Sequence, residues 1–215
     1  MPRQERLNAH NIIYHVFARG NNRTPIFYET SDYQRFLKNL ERYRVDFDYR
    51  LYAYCLMPNH FHLLLQTKDA TLSKIMQVLM TAYTMYVNKK RNQVGHVFQG
   101  RFRSIAVEKE TYFLQVLRYI HLNPVKAGLV DSVQKYPWSS YGKYIAPGSD
   151  VPTLDTAPAL GMFSKDSFKQ KQLFAEFTAA GLGVTFDPEE DQVRGILGSE
   201  KFMVKLTKVL RGVRP

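Results

Sequence analysis

The order of its periodic segments constrains this chain more than any other feature. Asn11 to Ala18 is rich in β-branched and aromatic residues and stops at Gly20-Asn21-Asn22, which predicts a strand and then a turn. Ser31 can cap a helix running to Tyr43, with Phe36, Leu37 and Leu40 at helical spacing. Tyr49 to Leu56 and His60 to Gln66 predict the second and third strands, joined by the short connection Met57-Pro58-Asn59. Thr71 to Lys90 predicts a long amphipathic helix with Leu72, Ile75, Met76, Leu79, Tyr83, Met85 and Tyr86 on its apolar side. After a loop from Gly95 to Gly100, Ser104 to Glu108 predicts a fourth strand and Thr111 to Leu122 a third helix. The order β-α-β-β-α-β-α fits an α+β fold, a ferredoxin-like antiparallel sheet with two helices on one face. The other face is then available for a site, and the last helix can lie over it.

The remainder reads differently. Ala146 to Gly161 holds three prolines and two glycines with little periodicity, as expected of a linker. Beyond it Ser164 can cap a helix from Lys165 to Ala180. Asp187-Pro188-Glu189-Glu190 has the chemistry of a helix start, and Ser199 can begin a last helix through Leu210. The expected division is 1–146, a linker 147–163, and a small helical C-terminal extension 164–215 of open role. There is no internal repeat.

Charge narrows the partner. The net charge is +11, and the isoelectric point is about 9.7, which favours a polyanion: nucleic acid first, an anionic membrane second. Residues 1–164 hold 21 basic and 12 acidic side chains, and residues 165–215 hold 9 and 7, so the signal lies in the first part. The single cysteine, Cys55, excludes an intrachain disulfide and a cysteine-rich zinc site, and its apolar neighbours suit a small buried hydrophobe. Met1 to His10 is polar, without the apolar stretch of a signal peptide. No run approaches the ~18 apolar residues of a membrane span. No membrane association and a cytoplasmic location are the expectations.

Two constellations carry chemistry. On a strand, His60 and His62 point to one face while Phe61, Leu63 and Leu65 point to the other. Two imidazoles on one face can share a metal ion, and they can equally be buried histidines satisfied by hydrogen bonds. On a helix, Tyr119 and Asn123 lie four apart and share a face. Asn123-Pro124 also has the pattern of an N-cap followed by proline, with Gly128 as the stop, so the helix can break at Asn123.

Together these residues resemble the REP-associated tyrosine transposases, within the wider HUH single-strand DNA transposases and nucleases. The resemblance runs from about Tyr14 to about Tyr141. It rests on Tyr14-His15-Val16 with Arg19-Gly20-Asn21-Asn22-Arg23, on the block Tyr54 to Leu65, and on Phe98-Gln99-Gly100-Arg101-Phe102. Tyr119-Ile120-His121-Leu122-Asn123-Pro124-Val125-Lys126-Ala127-Gly128 and Trp138-Ser139-Ser140-Tyr141 complete it. It implies a catalytic domain that cuts single-stranded DNA near short hairpins, with His60 and His62 as metal ligands, Tyr119 as nucleophile and Asn123 as third ligand. Mixed nitrogen and oxygen donors suit Mg²⁺ or Mn²⁺, although imidazoles alone also accept Zn²⁺ or Ni²⁺. A cation beside the phenol favours the phenolate, whose attack on phosphorus gives a 5′-phosphotyrosine and a free 3′-hydroxyl. A second 3′-hydroxyl can then join strands without ATP, and no glycine-rich phosphate loop is present.

Candidate phosphate contacts are Arg19, Arg23, Lys89, Lys90, Arg91, Arg101, Arg103 and Arg118. In Gln99-Gly100-Arg101-Phe102 a glycine, a cation and an aromatic suit backbone approach, phosphate pairing and base stacking by Phe102, which can equally be core. His15 can border the site or pack, and His121 can be structural or meet a phosphate. The rival functions are a non-catalytic hairpin-binding protein on the same fold, a metal hydrolase that uses water, and a regulatory DNA-binding protein whose C-terminal helices do the work. A monomer and a homodimer both fit the pattern.

Overall fold

A computed structural model describes residues 9–146 and 153–212 of the chain, with side chains described through 209. Strand β1 (Ile13–Arg19) lies at the centre of the sheet. It pairs antiparallel with β3 (His60–Gln66) on one side and with β4 (Arg103–Val107) on the other. Strand β2 (Arg50–Met57) pairs antiparallel with β3 and completes the order β2-β3-β1-β4, the ferredoxin-like arrangement expected. β1 is buried from Ile13 to Ala18 without alternation, because helices cover both of its faces.

Helices α1 (Thr30–Phe47) and α2 (Leu72–Arg91) cover one face. Phe36, Leu40, Leu79 and Tyr83 pack there with Tyr14, Val16, Phe61, Leu63 and Leu65. Helix α3 (Lys109–Lys126) covers the other, burying Phe113, Val116, Leu117 and Ile120 with Cys55, Leu64 and Ile105. Each such side chain contributes about 1.5–3 kcal/mol on burial. The register of β2 slips between Leu51 and Ala53, so Tyr52 and Ala53 both join the α3 side while Leu51 and Tyr54 join the other.

Several expectations need correction. α3 does not break at Asn123. It runs through Pro124 to Lys126, since the missing N–H falls one turn before the end, where Ala127 N–H still donates to the Asn123 carbonyl. Met85, expected on the apolar side of α2, is 68% exposed. The acidic run at 187–190 starts no helix. Asp187 Oδ1 accepts from Glu189 N–H at 2.8 Å, but the chain leaves after one turn through Arg194 and Gly195, both at positive φ. It has to reach β5 (Ile196–Leu197), a two-residue strand parallel to β4 and too short to show in the sequence pattern.

The described part of the expected linker is packed against the sheet edge. Asp155 N–H donates to the Leu51 carbonyl at 2.8 Å, Leu51 N–H returns a bond to Asp155 Oδ2, and α4 (Tyr141–Ile145) and α5 (Ala157–Leu160) lie on either side of that segment. Pro147, Gly148 and Pro152 lie outside the described residues. α6 (Ser167–Ala180) is capped by Asp166 rather than Ser164, and its Phe174 stacks on Tyr144 at 4.6 Å. α7 (Glu200–Gly212) follows Ser199, whose hydroxyl accepts from Phe202 N–H. Among the described residues no helix is long and apolar enough to cross a membrane.

Candidate active site

Strand alternation puts His60 and His62 on the α3 side of the sheet, with Arg19 opposite His60 and Phe17 opposite His62 on β1. Each ring has one nitrogen engaged. His60 Nδ1 meets Asn59 Oδ1 at 2.7 Å, and Asn59 is itself fixed by its Nδ2 donating to the Arg23 carbonyl. His62 Nδ1 meets His15 Nε2 at 2.9 Å. Nε2 is therefore the free nitrogen on both. Burial, helped by the Arg19 charge, lowers the His60 pKa to about 4. Burial, then the neighbouring His15 and His60, lowers His62 well below the ordinary imidazole value. Both are neutral near pH 7, the form that ligates metal.

One turn of α3 supplies the remaining groups. The Tyr119 ring stands edge-on to His62 at 5.8 Å and to His15 at 5.9 Å. Asn123 Nδ2 donates to the Tyr119 carbonyl at 2.8 Å. His60, His62 and Asn123 line one cleft, and two imidazole nitrogens with one amide oxygen would be a donor set that fits a divalent cation. Among the described residues no group of three or more His, Cys, Asp or Glu side chains could hold an ion. Burial raises the Tyr119 phenol above its ordinary value, and Asp187, Glu189 and Glu190 push it the same way, while a hydrogen bond with Asn123 opposes them.

The cleft has a volume of about 460 Å³, and its rim is cationic: Arg19, Arg23, Arg101 and Arg103 line it with Gln99 and one carboxylate, Glu189. Two loops carry that rim and are zipped together. Asn21 N–H donates to the Val97 carbonyl, Gln99 N–H to the Arg19 carbonyl, and Arg19 Nε to Gln99 Oε1 at 2.6 Å. Gly100, at φ 120°, turns the second loop where a side chain would be strained.

Two expected contacts are not in the cleft. Phe102 is 6% exposed and belongs to the core on the α1 and α2 side, so it offers no face to a base. Arg118 lies under α6, its guanidinium 4.3 Å from the Phe177 ring centre and donating to the Phe177 carbonyl. One position along a strand reverses a side chain's face, and one position along a helix turns it by about 100°. Lys90 pairs with Asp32 and Arg91 covers the Tyr28 ring, both remote from the cleft lining. His121 is buried with Nε2 on Ser140 Oγ at 2.8 Å, a structural place. Sequence reasoning missed Asn59, the His15–His62 contact and the acidic turn at 187–190. Tyr14-His15-Val16 was a signal for the second. Nothing local in the third marks it as a neighbour of Tyr119.

Comparisons with known proteins bear on the family and the fold. A family model described as "Transposase IS200 like" matches residues 8–123. The chain is similar to a Haemophilus influenzae protein provisionally named a REP-associated tyrosine transposase, with 28% identity over 41% of this chain and 57% of the relative. It is also similar to the REP-associated tyrosine transposase of Escherichia coli, with 25% identity over 55% of this chain and 70% of the relative. The matched region spans little over half of the Haemophilus protein. A solved structure of a REP-associated tyrosine transposase bound to a REP hairpin shares the fold, with a TM-score of 0.59 and 19% identity over 73% of this chain and 96% of the other.

Proposed function

The chain belongs to the IS200-like transposase family, whose model spans more than half of it, and on that footing we propose that it cuts and rejoins single-stranded DNA beside REP-like hairpins, with Tyr119 as nucleophile. The observation that carries this reading is the Tyr119 ring edge-on to His62, with Asn123 one turn further along the same cleft. The likeness to a REP-associated transposase bound to a hairpin supports the substrate.

The chemistry follows from the groups present. Tyr119 Oη attacks the phosphorus, and the bond from phosphorus to the 3′ oxygen breaks. The phenol gives up its proton and the departing 3′ oxygen takes one up, leaving a 5′-phosphotyrosine and a 3′-hydroxyl. A second 3′-hydroxyl reverses the step and joins strands. Arg19, Arg23, Arg101 and Arg103 hold flanking phosphates and fix the strand's register. A divalent cation, Mg²⁺ or Mn²⁺, held by His60, His62 and Asn123, would supply Lewis-acid polarisation of the phosphate and electrostatic support for the phenolate.

The test is incubation of the protein with labelled single-stranded hairpin DNA and Mn²⁺ or Mg²⁺, followed by denaturing electrophoresis. A denaturant-resistant adduct that is lost in Tyr119→Phe and with chelator is the expected result. Cleavage without an adduct would favour the hydrolase. Binding without cleavage would favour the second reading, a hairpin-binding protein. The specific observation behind that second reading is the acidic turn beside Tyr119, which together with burial disfavours the phenolate.

A further inference from the structure

We propose that His15 is a positioning residue for His62, holding the tautomer in which Nε2 is free to ligate the metal; this rests on the reading above. The sheet creates the contact. His15 and His62 sit on adjacent strands of one face, with rings 5.1 Å apart, inclined by only 18°, and with Nε2 of the first 2.9 Å from Nδ1 of the second. Two neutral imidazoles in that contact share one proton, so only two arrangements exist. In one, His15 Nε2–H donates and His62 carries its own proton on Nε2, which blocks ligation. In the other, His62 Nδ1–H donates to His15 Nε2, and His62 Nε2 keeps its lone pair for the ion. The second moves the His15 proton to Nδ1.

That Nδ1 is fully buried and has no hydrogen-bond partner among the described residues. A buried nitrogen left unpaired is a cost that leucine or phenylalanine at this position would avoid. The surroundings are apolar and aromatic, with Phe17 at 5.1 Å and Tyr119 at 5.9 Å. A histidine purely for packing therefore has no advantage here, whereas an acceptor for His62 Nδ1–H does. His60 has the equivalent partner in Asn59 Oδ1. Each proposed imidazole ligand thus has an oriented Nδ1.

The test measures Mn²⁺ binding to the full chain, without DNA, by calorimetry and by loss of the free-ion paramagnetic resonance signal. His15→Leu is expected to weaken binding about 10–100-fold. His15→Gln, whose amide oxygen can accept from His62 Nδ1–H, should recover much of it. Circular dichroism and thermal unfolding confirm that both variants are folded. Nitrogen-15 long-range spectra of the metal-free wild type should show His62 protonated at Nδ1. His62→Ala and His60→Ala separate the two levels. If neither weakens Mn²⁺ binding, the metal reading itself fails. If both do and His15→Leu binds like wild type, the role of His15 alone is overturned. Loss of folding in both His15 variants also overturns it, because an architectural role then suffices.

Discussion

Arg103 and Glu189 are joined by an ion pair of 2.5 Å across the mouth of the cleft, linking β4 to the acidic turn that approaches Tyr119. Arg103 is 65% exposed, so the pair adds little to stability. Its consequence is electrostatic: one of the four cleft arginines is neutralised before any phosphate arrives. Glu189→Gln should free it. We expect tighter binding of single-stranded DNA at low salt, with the slope of log affinity against log salt steeper by roughly 0.7. Fluorescence anisotropy over a salt series measures this, and an unchanged slope would mean that Arg103 does not meet a phosphate.

Stability should fall steadily in mild acid. Burial lowers His15 and His121 to about 3, and holds His62 well below its ordinary value. In the unfolded chain the same imidazoles titrate near ~6.5. Below that pH the unfolded state binds more protons than the folded one, so stability is lost as pH falls from ~6.5 toward 4. With His60, lowered to about 4, four such groups give a slope of about 5 kcal/mol per pH unit near pH 5. Urea denaturation with chelator at pH 7, 6 and 5 reads it directly, and a flat profile would contradict it.

Asp32 anchors the start of α1. Its Oδ2 accepts from Tyr28 N–H and Glu29 N–H, and its Oδ1 from Lys90 Nζ at 2.7 Å and Tyr86 Oη at 3.0 Å. Burial alone would raise its pKa, but these bonds, Lys90 foremost, hold it below the ordinary value. Asp32→Ala should cost about 3 kcal/mol, a fall in Tm of about 6–12 °C by calorimetry. The contribution is full above pH ~4, the unfolded value, and is lost as pH falls below it.

Gly20 connects β1 to the Arg23 loop with an ordinary φ of −63°, so backbone strain is not what requires glycine there. A Cβ would lie 2.1 Å from the Thr24 carbonyl oxygen. Gly20→Ala should displace residues 21–24 and weaken DNA binding several-fold, at a stability cost of about 1–3 kcal/mol. Wild-type affinity would show that this loop does not hold the strand.

Cys55 is buried on the α3 side, and burial pushes its thiol far above the ordinary value. No reaction with a thiol-specific disulfide reagent is expected in the folded protein at pH 8, against one thiol per chain in denaturant. Fast reaction of the native state would mean that β2 opens readily.

The sheet was legible because its signals are local. Strand patterns around Tyr14, Tyr54 and Phe61 alternate or run apolar, and the helices between them repeat at helical spacing. Their order fits the ferredoxin-like sheet, which forms as β2-β3-β1-β4. The faces of His60 and His62 followed from strand alternation, and those of Tyr119 and Asn123 from one helical turn. Pro124 misled, because a residue's preference before proline is weaker than the packing that holds α3 over the sheet. Phe102 misled for the same reason: Gly100 turns the loop so that the ring enters the core.

Periodicity along the chain thus specified the elements and the pairing of like side chains on one face, and composition specified the cationic character of residues 1–164. Register and docking decided the rest. Only the pairing of β1 with β3 sets His15 beside His62. Only the parallel addition of β5 to β4 carries the turn at 187–190 to Tyr119 and Arg103. Side-chain direction is a property of a few consecutive residues, whereas contacts between residues 47, 68 or 86 positions apart depend on how whole elements bury their apolar faces against one another.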